Sequence, residues 1–207
     1  MKYSCSLFDS FSKVPVQDWE QVVDSDQDIY MNHRFLISVE ESMKHLTDIY
    51  YLIIYDERIR PAAAACFFVW DVDGSTLSPT YIKTFVRLVR KIWKKFFFLK
   101  TLCLGLPVSA GQSHVRICKD ANLQNVCHVL HVQMMRMAKN KRCNLILIKE
   151  LNRSETDQLL SLTNFGYMQK QSLPMHIIEA DDQDISSYIS KMRSKYRSNI
   201  KKYYSAA

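Results

Sequence analysis

Glycine and proline are scarce, with four and five residues in a chain of 207. Nearly half the residues are apolar, so the composition is that of a globular protein and excludes a disordered chain. No apolar run is long enough to span a bilayer; the longest uncharged one, Pro61 to Trp70, falls far short. The first residues, Met1 to Ser12, contain Asp9 and no continuous apolar core, so no signal peptide is expected. The six cysteines (Cys5, Cys66, Cys103, Cys118, Cys127 and Cys143) form no C-x-x-C pair. They read as reduced thiols of a cytoplasmic protein rather than as a disulfide framework. Internal repeats, low-complexity tracts and long linkers are also missing. The length suits one domain, with or without an appendage.

The charge that is present is unevenly spread. Lys191, Arg193, Lys195, Arg197, Lys201 and Lys202 follow one another with no acid between them, and without them the chain is close to neutral. A second basic group comprises Lys83, Arg87, Arg90, Lys91, Lys94, Lys95 and Lys100. A basic pI concentrated in this way is weak evidence for nucleic acid.

Periodicity predicts a strand over Tyr3 to Ser10 and helices over Val16 to Asp24 and Ile29 to Lys44. Ile49 to Asp56 and Ala62 to Val72 predict a β-hairpin. Pro79 to Phe97 predicts an amphipathic helix with Ile82, Phe85, Val86, Val89, Trp93 and Phe96 inward. Short strands are expected at Leu102 to Leu106 and His114 to Cys118, and a helix at Asn122 to Lys139. Leu145 to Lys149 reads as a strand buried on both faces. Ser154, with Asp157 three residues on, is placed at the start of the next helix. Gly166 closes that helix as a left-handed cap. Strands at Tyr167 to Gln171 and Met175 to Ile178 and a helix from Ile185 to about Tyr203 complete the chain. The expected fold is a mixed α/β sandwich around one sheet.

Three segments carry a resemblance. Phe35-Leu36-Ile37-Ser38-Val39-Glu40-Glu41-Ser42 forms an early helix. Leu145-Ile146-Leu147-Ile148-Lys149-Glu150, followed by Phe165-Gly166-Tyr167, forms a strand, a helix and a glycine–aromatic hairpin. Met192-Arg193-Ser194-Lys195-Tyr196-Arg197-Ser198-Asn199-Ile200-Lys201 forms a basic lead-out. The order resembles the GCN5-related N-acetyltransferase fold, a mostly antiparallel sheet flanked by helices. More closely, it resembles the first half of the two-domain FemAB-like acyltransferases. The resemblance implies an acyltransferase-like domain over residues 1–180. It also implies that the basic helix of residues 181–207 leads into a second domain not contained in the chain, so that the chain is incomplete or inactive alone. The donor so implied is acyl-CoA or aminoacyl-tRNA. The usual acyl-CoA loop, Gln or Arg-x-x-Gly-x-Gly/Ala, is absent, and the nearest substitute is Ser109-Ala110-Gly111-Gln112-Ser113.

Glu150, at the end of a strand, is the candidate general base, against a plain reading as a solvated carboxylate. Ser109, Gly111, Gln112, Ser113 and His114 are candidate cofactor-binding residues, or an ordinary turn built on Pro107 and Gly111. Glu40 is the second candidate catalytic residue: the resemblance implies that it or Glu41 faces the cleft, while by their own chemistry both are surface acids at the end of an apolar helix. Arg193 and Arg197 are candidate substrate-binding residues, on a helix whose apolar stripe (Ile189, Met192, Tyr196 and Ile200) suits a second domain or a protein partner. Cys127, His128, His131 and Cys143 match no compact ligand set and read as helical surface residues, so no metal is expected. No membrane partner is expected. The leading function is N-acyl or aminoacyl transfer to an amine. The alternatives are a non-catalytic binding or pairing module of the same fold and a basic nucleic-acid-binding module.

Overall fold

The computed structural model describes residues 3–24, 28–76, 78–108, 111–171 and 184–204. The chain divides into two compact units, Met1–Gln171 and Ser172–Ala207. The first is built on a sheet of β1 (Ser4–Phe8), β2 (Ile49–Tyr55), β3 (Pro61–Asp73), β4 (Phe98–Leu104), β5 (Val115–Ile117) and β6 (Leu145–Ile148). The strand order is β1-β2-β3-β4-β6, with β5 on β3. Every pairing is antiparallel except that of β4 with β6.

The hairpin β2–β3 is the core of the sheet, because both of its faces are covered. On one face Leu52, Ile54, Ala63, Ala65 and Phe67 pack with Val126, Leu130 and Met134 of α4 (Leu123–Lys141). On the other face Tyr51, Ile53, Ala64 and Cys66 pack with Trp19 of α1 (Val16–Val22) and with Leu36 and Val39 of α2 (His33–Met43). The two-residue repeat of a strand sends neighbouring side chains into opposite layers. A continuous apolar run is therefore required here. Phe11, Trp19 and Tyr51 meet edge to face, with centroids 4.9–6.1 Å apart. The buried indole Nε1 donates to the Met31 carbonyl at 2.9 Å.

Several boundaries depart from expectation. The helix expected over Ile29 to Lys44 is split: Ile29–Met31 is a 3-10 turn, and Asn32 caps α2 by accepting from the Arg34 N–H. The helix expected over Pro79 to Phe97 stops at α3 (Thr80–Val89). There the Arg90 guanidinium turns back to Asp73 at 2.7 and 2.8 Å and to the Phe96 carbonyl at 2.9 Å. Its expected stripe is largely not internal, since Val86 is buried while Phe85 and Trp93 stay exposed. β6 is not buried on both faces: Leu145 and Leu147 are exposed and alternate with half-buried Ile146 and Ile148. Among the described residues β6 pairs with β4 alone.

The helix after β6 is α5 (Arg153–Gln158), and its cap is Asn152, not Ser154. Asn152 accepts from the Glu155 N–H while the Glu155 carboxylate accepts from the Asn152 N–H, a full capping box. A 3-10 segment, Leu160–Phe165, then ends on Gly166 at φ 89°, the left-handed cap that was expected. Tyr167 to Gln171 is not a strand. Met175 to Ile178 lies outside the described residues.

In the second unit the expected single helix is two, α6 (Ile185–Lys191) and α7 (Ser194–Tyr204), broken at Met192 and Arg193. Among the described residues no group of three or more His, Cys, Asp or Glu is placed to hold a metal ion. Cys127 is buried in the α4 core rather than on the helix surface. His131 stacks on Phe165 at 4.4 Å.

Candidate functional site

The parallel pair β4–β6 creates the place where a site can form. Its ladder runs from Thr101–Leu145 to Leu104–Ile148 and then ends. Beyond that point the two chains part. Gly105 stays with β3, its N–H donating to the Cys66 carbonyl at 2.9 Å. The chain then leaves the edge of β3 and returns at His114, whose carbonyl accepts from the Cys66 N–H at 2.9 Å. β4 and β5 are therefore two halves of one strand line along β3, interrupted opposite Cys66. Among the described residues β5 pairs with β3 alone, so its outer edge faces the exit of β6. In parallel α/β sheets ligands bind in the crevice outside the carboxyl ends of the strands, and this single parallel pair leaves an opening at the same end.

Side chains bridge the opening that backbone does not close. Arg116 is a lone charge in β5. Its Nε donates to Asp28 at 2.6 Å, and its Nη1 donates to the Ser113 and Val115 carbonyls, to Ser113 Oγ and, at 3.3 Å, to Glu155. Ser113 Oγ also donates to Glu155. Glu155 thus serves both the capping box and the bridge, tying α5 to β5.

At the exit of β6, Lys149 Nζ lies 3.6 Å from Glu150 Oε2 and 5.6 Å from the Phe68 ring centroid. The Lys149 stem crosses Gly105, where a Cβ would stand 2.9 Å from its Cε; Gly105 itself sits at φ 149°. A side chain here would push the Lys149 stem aside and would strain the backbone at this positive φ, so glycine suits the position. Glu150 takes φ 62°, a left-handed conformation that is costly for a non-glycine residue and concentrates at functional positions.

His114 lies behind this edge, fully buried and edge-on to Tyr30 at 6.4 Å. Among the described residues neither ring nitrogen has a hydrogen-bond partner, and Asp28 Oδ1 has none either. Burial first, then the Arg116 and Lys149 charges, pushes the imidazole pKa down to about 4. His114 is therefore neutral near pH 7, a weak base sealed from solvent. Burial raises the Cys103 thiol to about 11 against the opposing Lys149 charge.

The expected residues divide accordingly. Ser113 and His114 are brought together with the exit of β6, where Glu150 stands. Gly111 takes φ 78° and Gln112 is exposed. Their loop precedes β5, whereas the turn that feeds α4 ends at Asn122, which caps that helix through Asn125. Ser109 lies outside the described residues. Glu40 is placed elsewhere, on α2: its carboxylate accepts from Ser10 Oγ at 2.6 Å and from the Phe11 N–H at 2.8 Å, holding the start of the Phe11–Lys13 turn. Arg193 and Arg197 belong to the second unit, where the Arg193 carbonyl accepts from the N–H groups of Tyr196 and Arg197 as α7 begins. Arg116, Asp28, Glu155, Lys149 and Gly105 were not anticipated. A charge inside the apolar Val115-Arg116-Ile117 and the Asn-x-x-Glu pattern of residues 152–155 are the signals that point to two of them.

No protein-family model and no curated protein matches the chain. Solved structures do. The chain is similar to aminoglycoside N-acetyltransferase AAC(6')-Iy in complex with CoA, at TM-score 0.51 and 9% identity over 86% of this chain and 95% of that one. It is similar to aminoglycoside 6'-N-acetyltransferase AAC(6')-Ih from Acinetobacter baumannii, at TM-score 0.50 and 9% identity over 86% and 99%. A transcriptional regulator from Bacillus halodurans gives TM-score 0.50 and 11% identity over 84% and 100%. At such identity the likeness is one of fold: a mixed, mostly antiparallel sheet flanked by helices, as in the GCN5-related N-acetyltransferases.

Proposed function

We propose that the chain is an acyltransferase-derived domain that holds an acyl donor at the opening between β5 and the exit of β6. The observation that carries this reading is the parting of β4 and β6 after Leu104 and Ile148, with Glu150 strained at the rim. The proposed reaction is attack of an amine on the carbonyl of an acyl ester or thioester, which forms an amide and breaks the donor's C–O or C–S bond, the alcohol or thiol leaving with a proton. Glu150 would take the amine proton, and Lys149 would stabilise the developing oxyanion. Gly111, Gln112 and Ser113 would line the donor's path. The fold shared with an acetyltransferase solved with CoA supports acyl-CoA as the donor. The six free thiols support a reducing, cytoplasmic setting. The finer assignment rests on the sequence segments alone: a FemAB-like first half, aminoacyl-tRNA as donor, and a second domain or partner at the C-terminal helices bearing Arg193 and Arg197.

One observation favours a second reading, a non-catalytic module of the same fold. The Ser113–Glu155 and Arg116–Glu155 bonds span the opening and tie up the groups nearest to it. Thermal titration with acetyl-CoA and free CoA at fixed salt separates the two. A saturable rise in melting temperature, together with a Glu150→Gln variant that still binds but transfers roughly a hundredfold more slowly, is the expected result. No rise with either ligand leaves the fold without the activity.

A further inference from the structure

The helix α3 has two apolar faces, and only one of them is used by the fold. Ile82, Val86 and Val89 turn toward the body, and Val86 is buried. A second row, Tyr81, Phe85 and Leu88, advances by four and three residues, the spacing of one helix face. Ile92 continues it, and Trp93, four residues after Val89, extends the neighbouring row beside it; both are held on a helical path by N–H bonds to the Val89 carbonyl at 3.0 and 2.9 Å. These five side chains are 73, 60, 55, 95 and 62% exposed. A contiguous row of large apolar groups left in water marks an interaction surface.

Charge identifies the partner. From Thr80 to Lys100 the chain carries Lys83, Arg87, Arg90, Lys91, Lys94, Lys95 and Lys100 and no acid. Arg90 is neutralised by Asp73 and covers the Phe98 ring at 4.3 Å. Among the described residues no carboxylate forms an ion pair with Lys83, Arg87, Lys91, Lys94 or Lys95. A second copy would present the same cations to this face and be repelled. The basic segment at the end of the chain is no complement either. Tyr81, Phe85 and Trp93 offer flat rings of the kind that stack on bases, but such rings also settle at a lipid headgroup boundary, and the middle and tip of the row, Leu88 and Ile92, are saturated side chains that suit acyl chains and not bases.

We propose that α3 and the turn after it form an interfacial anchor for an anionic lipid surface. Cations meet the headgroups, and Phe85, Leu88, Ile92 and Trp93 enter the boundary below them. This revises the expectation of no membrane partner, which rested on the lack of a spanning segment. No helix among the described residues is long and apolar enough to cross a membrane, and an anchor lying in the interface needs none. α3 precedes the start of β4, whereas Gly105 follows its end. Seven residues of strand, about 20 Å, therefore separate the anchor from the opening, and a docked protein keeps that opening away from the lipid.

The test is flotation of the full chain with vesicles of phosphatidylcholine alone and of a three-to-one mixture of phosphatidylcholine and phosphatidylserine, at low and high salt. Binding to the anionic vesicles only, weakened by salt, is expected. Combining Lys91→Gln, Lys94→Gln and Lys95→Gln should weaken it roughly a hundredfold, from about fivefold per cation lost. Combining Leu88→Ser and Ile92→Ser should weaken it about tenfold or more. All five positions are exposed, so an unchanged melting temperature confirms that the variants fold. Equal behaviour toward both vesicles, no binding to either, or an apolar variant that floats like the parent overturns the proposal. Binding of poly(U) or polyglutamate through these residues without vesicle binding reassigns the face to nucleic acid or to an acidic protein.

Discussion

His114→Leu removes two buried ring nitrogens that have no partner and leaves an apolar side chain of similar size in their place. A buried polar group without a hydrogen bond costs about 1–3 kcal/mol, so at pH 7 the variant should be more stable by about 1–2 kcal/mol. The larger effect comes with acid. The unfolded imidazole titrates near 6.5 and the folded one at about 4, so the unfolded chain takes up its proton first as pH falls. The stability tied to neutral His114 is complete above 6.5 and lost progressively down to about 4. Full loss amounts to about 3 kcal/mol, an order-of-magnitude figure from 1.36 kcal/mol per pH unit. Urea unfolding of both proteins at pH 7, 5.5 and 4 reads this directly. The gap between variant and parent should widen by about 3 kcal/mol from the highest pH to the lowest. Parallel losses in the two proteins would refute the claim that His114 is buried, neutral and unpartnered.

Other consequences follow from the same edge. Arg116→Met strips Asp28 and Glu155 of a partly buried partner and should cost about 3 kcal/mol in urea unfolding. Adding Asp28→Asn should recover part of that loss, because the orphaned charge is gone. Gly166→Ala places a Cβ in open space but at φ 89°, so its cost should be backbone strain alone, about 1 kcal/mol by thermal unfolding. A loss several times larger would mean that the 3-10 segment does not end as described.

The elements legible in the sequence are those decided by local pattern. The β2–β3 hairpin, α4 and the Gly166 cap each have one strong signal: alternation and an apolar run, five apolar residues at helical spacing (Leu123, Val126, Leu130, Met134 and Met137), a glycine after a helix. The misread elements are those in which a distant partner decides. Leu145 to Ile148 looks doubly buried because its four residues are all apolar, and its edge position depends on β4. Pro79 to Phe97 keeps helical spacing throughout, and its early stop depends on Arg90 reaching Asp73, seventeen positions away. The site shows the same division. Glu150, Ser113 and His114 are visible as polar residues beside strands. Arg116 acquires meaning only through Asp28 and Glu155, 88 and 39 positions distant. The resemblance puts Glu40 or Glu41 at the cleft, and the Glu40 oxygens cap the turn at Ser10 and Phe11, thirty and twenty-nine positions earlier.

The central claim is that a donor binds where β4 and β6 part, and amide hydrogen exchange of the full chain with and without acetyl-CoA tests it most directly. The account predicts slowed exchange across residues 111–117 and 145–155, with residues 11–40 unchanged. Exchange that slows nowhere, or slows only outside those two segments, would contradict it.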